Sequence, residues 1–144
     1  MQAYPHHYLA SAAGESEGHV VVSGEGLPDL DTQSPPQFGG PEGVWSPETM
    51  LTASVANCFI LSFRAIARAS KFEWNALTCD VDAVLDKPER SPLFTQFNIN
   101  AVLHIPAGSR DTLAQRLLEK AEQICLITAS LKSEIVLTTN IKVD

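Results

Sequence analysis

The chain has 144 residues, of which 44% are hydrophobic and 19% charged; that is enough to bury one core but short for two independent domains, so a single domain over residues 1–144 is expected. Ten basic against 17 acidic side chains leave a net charge of −7, which repels phosphate backbones and anionic lipid heads and argues against nucleic acid and membrane surfaces as partners. Three cysteines, an odd number, do not suit a structural disulfide framework, and no basic stretch followed by an apolar run is seen at the start, so the cytoplasm is the expected location.

Tyr4 to Ala12 and His19 to Ser23 carry short apolar and β-branched runs on either side of Gly14–Gly18, the pattern of a hairpin. From Gly24 to Trp45 the chain is rich in glycine and proline and reads as a long surface loop. Ser46 is a good N-cap, Pro47 suits the first helical position, and Glu48 faces the positive end of the helix dipole, so a helix is predicted from Pro47 to about Ser70. Its uncharged stretch, Thr49 to Phe63, carries Thr52, Ser54, Asn57 and Ser62; it reads as too short and too polar to span a bilayer and better as a core helix. Leu77, Cys79, Val81, Ala83 and Leu85 then alternate with mostly polar neighbours as in a half-buried strand. Lys87 to Pro92 is a turn, and Phe94 to Ile105 a second strand with Phe97, Ile99, Ala101, Leu103 and Ile105 on one side. Ser109 is read as the cap of a second helix, with Leu113, Leu117, Ala121 and Ile124 at helical spacing and Cys125 near its end. Glu134 to Val143 closes the chain as an alternating strand.

This order describes an α+β domain of largely antiparallel sheet with a long central helix and a second, cysteine-bearing helix. The long helix is apolar on more than one face, because Met50, Leu51, Val55, Phe59, Ile60, Leu61 and Phe63 cannot share one stripe about 100° wide. A homodimer with this helix at or near the interface is the expectation. Cys79 falls on the apolar side of its strand and reads as structural, and His6, His7, His19 and His104 share no ligand-like spacing, so no metal site is expected. Asp80, Asp82 and Asp86 read as the solvated face of a strand.

Four segments carry a family resemblance when taken in order. They are the Gly-rich loop before Ser46-Pro47-Glu48, the run Ala53-Ser54-Val55-Ala56-Asn57-Cys58-Phe59, the strand ending Val84-Leu85-Asp86-Lys87, and Lys120-Ala121-Glu122-Gln123-Ile124-Cys125 before the last strand. The two cysteines stand 67 positions apart, with Glu48 ten positions before the first. Over nearly its whole length the chain resembles the OsmC/Ohr family, the osmotically induced and organic-hydroperoxide-resistance proteins, as a divergent member. The resemblance implies an intertwined homodimer that reduces hydroperoxides in oxidative-stress defence, with no metal or prosthetic group. It assigns Cys58 as the peroxidatic thiol, Cys125 as the resolving thiol, and Glu48 as the acidic residue that orients an arginine. A dithiol reductant, in relatives often a lipoyl-bearing protein, would restore the thiols.

Such chemistry needs a thiolate, and an ordinary thiol, with a pKa of about 8.5, is mostly protonated at neutral pH. The start of the long helix gives Cys58 no help, since about 11 residues at about 1.5 Å each separate them. No arginine precedes Arg64, and Gln37 stands at the loop position that best matches a family arginine; Leu126 stands where the family usually has proline. Gln37, Phe38 and Phe59 are candidates for the substrate-binding surface. The residues leave a second reading open, a catalytically weakened dimer that binds a small hydrophobic ligand.

Overall fold

The computed structural model describes all residues, 1–144, as two compact units, Met1–Leu51 and Thr52–Asp144. The first holds an antiparallel three-stranded sheet in the order β1 (Ser11–Ala13), β2 (Val20–Ser23), β3 (Leu30–Thr32). The expected hairpin is present, but only the end of its first arm is strand. The third strand lies inside the segment read as loop, where three residues are too few to show a period of two. Thr32 secures it by donating its hydroxyl to the Val20 carbonyl at 2.8 Å, and Gln33 donates its backbone N–H to Trp45 at 2.9 Å. Between these anchors Pro36–Phe38 makes one 3-10 turn, closed by Gly39 at φ 83, a conformation that favours glycine.

The long helix α1 (Pro47–Ala69) begins where the cap residues place it. Ser46 accepts the Thr49 N–H at 3.1 Å and donates its own N–H to the Thr49 hydroxyl at 2.8 Å, a reciprocal pair that satisfies two donors at the helix entry. At the other end Lys71, at φ 52, turns the chain so that Phe72 bonds the Ala67 carbonyl at 2.8 Å and Lys71 that of Arg68 at 3.1 Å. Those two bonds form a Schellman stop.

The second unit contains most of α1 and a sheet in the order β4 (Ala76–Asp86), β5 (Leu93–Ile105), β6 (Glu134–Val143). β4 and β5 form the expected antiparallel hairpin, whereas β5 and β6 run parallel. A parallel pair needs a crossover, and α2 (Asp111–Ile124) with the short α3 (Leu126–Ala129) lies within that connection. Ser109 does not cap α2. It closes the turn that begins at Pro106, donating its N–H to that carbonyl at 3.2 Å, so the helix starts two residues later with Arg110 in the cap position. In β4 the inward pattern holds through Ala83, then a bulge between Val84 and Leu85 shifts the register and leaves Leu85 exposed.

The core of this unit comes from three stripes. They are Val55, Phe59, Phe63, Ile66 and Ala67 of α1, Ala114, Leu117, Leu118 and Ala121 of α2, and Phe97, Ile99, Ala101, Leu103 and Ile105 of β5. Each fully buried Phe, Leu or Ile contributes about 1.5–3 kcal/mol over leaving it in water. Only one face of α1 is spent on this core. The helix is 23 residues long and, by length and composition alone, apolar enough to cross a membrane, which corrects the expectation drawn from its polar residues.

Candidate functional site

Position 58 lies midway along α1, on the face away from the core stripe. Ser54, Asn57, Cys58, Leu61, Ser62 and Ala65 recur every three or four residues and form one wall of an open groove of about 620 Å³; Ile124, Leu126 and Ile127 form the other. None of these side chains carries a charge. Leu61 is 51% exposed, Ile124 44% and Leu126 73%, so apolar surface is presented to solvent around a thiol.

The second wall is made by a break between helices. Cys125 takes φ −62 and ψ 113, an extended conformation that ends α2 and begins α3. Its N–H reaches back to the Glu122 carbonyl at 3.3 Å, while its own carbonyl accepts the Ala129 N–H at 3.0 Å and the Thr128 hydroxyl at 3.2 Å. Leu126 and Ile127 are therefore the first two residues of a new helix, where N–H groups have no partner within the helix.

Burial pushes the Cys58 thiol up, but hydrogen bonds from the backbone of Ile127, the Cys125 thiol, Ser62 and the backbone of Leu126 together outweigh it and hold the group below its ordinary value. The Ser62 hydroxyl lies 3.9 Å from the Cys58 sulfur. Cys125, with 1% of its surface exposed, is displaced the other way: burial pushes it up, its Thr128 bonds act against burial, and the neighbouring Cys58 adds to the rise. Two thiols in contact are thus driven apart in acidity, Cys58 toward thiolate and Cys125 toward the protonated form. Both are free. Cys79 is pushed up to about 12, first by burial and then by the charges of Asp80 and Cys125, and is inert at neutral pH.

Of the residues singled out from sequence, Cys58 and Cys125 come together. Phe59 turns into the core with none of its surface exposed and has no place in the groove wall. Glu48, in the first turn of α1, and Gln37 and Phe38, on the 3-10 turn, belong to the first unit; Phe38 is exposed there. Sequence reasoning missed Ser62, although its spacing of four from Cys58 on one helix was the signal that could have found it. It also missed the donors at Leu126 and Ile127, which are backbone groups and leave no mark in side-chain identity. No group of three His, Cys, Asp or Glu side chains is placed to hold a metal ion.

The profile of the family described as OsmC-like protein matches residues 40–140, which include Cys58 and Cys125. The chain belongs to the OsmC-like family. Known OsmC-like folds agree with its architecture. An OsmC-like protein of unknown function from Vibrio cholerae superposes with a TM-score of 0.84 at 18% identity, covering 94% of this chain and 99% of that one. An organic hydroperoxide resistance protein from Elizabethkingia anophelis superposes with a TM-score of 0.78 at 20% identity, covering 99% of this chain and all of the other, 100%. In sequence, an uncharacterized protein of Acinetobacter baylyi is 25% identical over 128 residues, 88% of this chain and 85% of its own length.

Proposed function

We propose that this OsmC-like protein is a thiol-dependent hydroperoxide reductase that serves in oxidative-stress defence. The observation that carries the reading is the contact between two free thiols of opposite displacement beside an apolar groove. The E. anophelis protein of the same fold, an organic hydroperoxide resistance protein by name, supports it.

In the proposed cycle the Cys58 thiolate attacks the terminal oxygen of a hydroperoxide. The O–O bond breaks, the alkoxide takes up a proton and leaves as alcohol, and Cys58 is oxidised to sulfenic acid. The Cys125 sulfur then loses its proton and displaces the hydroxyl of the sulfenic acid, so that a disulfide forms and water leaves. A dithiol, in the family often carried by a lipoyl-bearing protein, exchanges with that disulfide and is itself oxidised, which returns both thiols. The active form is a homodimer, in which the apolar second face of α1 gains a partner, and the cytoplasm suits an enzyme whose three cysteines are all free. Glu48 is proposed for the role of the family's acidic residue, and Gln37 and Phe38 for substrate contact.

The uncharged apolar groove favours a second reading, a dimer that binds a small hydrophobic ligand without turnover. One experiment separates the two. Reduced protein is treated with one equivalent of cumene hydroperoxide and its thiols are mapped by peptide mass spectrometry. A Cys58–Cys125 disulfide, lost in Cys58→Ser, is expected of the reductase. Neither that disulfide nor oxidised Cys58, while a control thiol peroxidase reacts, rejects it and leaves the binding reading, which requires unaltered ligand binding in Cys58→Ser.

A further inference from the structure

The departing oxygen of a hydroperoxide takes on negative charge as the O–O bond breaks, and a donor aimed at that charge lowers the barrier. The groove holds no charged side chain, and its second wall of Ile124, Leu126 and Ile127 offers no polar one. On α1 the polar wall residues around Cys58 are Ser54, Asn57 and Ser62. A helical side chain leans toward the start of its helix, so Ser62, four residues after Cys58, leans back over the sulfur, while Ser54, four before it, leans away. Asn57 is the sequence neighbour of Cys58 and faces about 100° round the helix.

Ser62 has the geometry of such a donor. Its hydroxyl stands 3.9 Å from the Cys58 sulfur, and both side chains line the groove. A mid-helix serine commonly turns its hydroxyl onto the carbonyl four residues back, which would spend the donor. In Ser62 it is turned onto the sulfur instead. At 3.9 Å the bond is long, and its length leaves room for a substrate. A hydroperoxide brought to about 3–3.5 Å from the sulfur, a near-attack distance, can at the same time place an oxygen about 2.8 Å from the hydroxyl.

We infer that Ser62 is a catalytic residue of the peroxide reaction, its hydroxyl passing from the Cys58 sulfur to the departing oxygen of the hydroperoxide and donating a hydrogen bond to it as the O–O bond breaks. The inference rests on the peroxidatic reading of Cys58 and adds the group that receives the leaving charge. In the step, the thiolate forms a bond to the terminal oxygen, the electron pair of the O–O bond goes to the other oxygen, and that alkoxide, held by Ser62, takes its proton from solvent in the open groove. Cys58 is oxidised to sulfenic acid and the hydroperoxide is reduced to alcohol. One hydroxyl thereby serves the nucleophile before the attack and the leaving group during it.

Three reagents that differ in their leaving group test it, each at a pH on the plateau of the rate profile so that Cys58 is wholly thiolate. Cumene hydroperoxide leaves a basic alkoxide, peracetic acid a weakly basic carboxylate, and iodoacetamide an iodide with no oxygen to receive the bond. Loss of the Cys58 thiol in reduced full-length protein is followed by quenching and peptide mass spectrometry. Ser62→Ala, which puts a good helix former on α1, is expected to slow cumene hydroperoxide roughly five- to thirty-fold, peracetic acid much less, and iodoacetamide by no more than about two-fold. Ser62→Thr keeps the hydroxyl and stays near the wild-type rate with cumene hydroperoxide. An equal loss with all three reagents, no loss with any, or a loss shared by Ser62→Thr overturns the inference. A wild type that is alkylated but reacts with neither peroxide rejects the peroxidatic reading and the inference with it, whereas equal losses in an active enzyme reject the inference alone.

Discussion

Replacing Cys125 by alanine separates two roles that one sulfur performs. The Cys125 thiol is one of four donors that hold the pKa of Cys58 below its ordinary value against the opposing effect of burial, second in weight among them after the Ile127 backbone. A hydrogen bond to a charged group is worth about 1.5–3 kcal/mol, but a thiol is a weak donor and Cys58 is only half-buried, so water recovers part of the loss. A net loss of about 0.5–1 kcal/mol remains, which at a pH below the midpoint reduces the thiolate roughly two- to five-fold. The sign follows from the reaction. The thiolate is the attacking species, so the rate rises with pH up to the midpoint and is flat above it. Cys125→Ala slides this profile toward higher pH and leaves the plateau alone. Cys125→Ser retains a donor and stays near the wild-type midpoint, although neither variant forms the disulfide and both accumulate a sulfenic acid that dimedone traps. Stopped-flow rates of the first turnover with cumene hydroperoxide, measured against pH, read the midpoints directly. Equal midpoints in the alanine and serine variants would refute the claim that Cys125 activates Cys58 before it resolves it.

Two further outcomes are expected. Sedimentation at micromolar concentration should show a dimer, because Leu61, Ile124 and Leu126 leave an apolar surface uncovered; a single monomeric species would count against the proposed assembly. Cys79, pushed up to about 12 by burial, contributes stability that is whole below the ordinary thiol value of about 8.5 and is lost as pH climbs toward 12, so Cys79→Ser should lose stability less steeply than the wild type across that window in thermal melts, and parallel curves would show that Cys79 is not the cause.

The parts of the fold that were legible in sequence are those governed by local rules. Ser46 and Pro47 placed the start of α1 because capping is a contest among a few adjacent groups. Alternation located β4, β5 and β6, since a strand buried on one face leaves a period of two. What was not legible depends on partners distant along the chain. The helix between β5 and β6 permits a parallel pairing without requiring it, and the bulge that exposes Leu85 arises from the register of its neighbour. The site divides in the same way. The cysteines were found from a resemblance in order and spacing, while Phe59, apolar and next to Cys58, was read as a substrate contact although helical geometry rotates it by about 100° into the core. The absence of an arginine before Arg64 was plain in the sequence, whereas the meeting of Cys58 with Cys125 depends on residues 67 positions apart.

The break at Cys125 is fixed by the chain immediately around it. Its N–H bonds the Glu122 carbonyl and its own carbonyl takes the Ala129 N–H, so the Cys125 sulfur is indexed by the number of residues between those two positions. Inserting or deleting one residue there would swing the sulfur away from Cys58, whereas a substitution that keeps the count, proline apart, leaves those main-chain bonds in place.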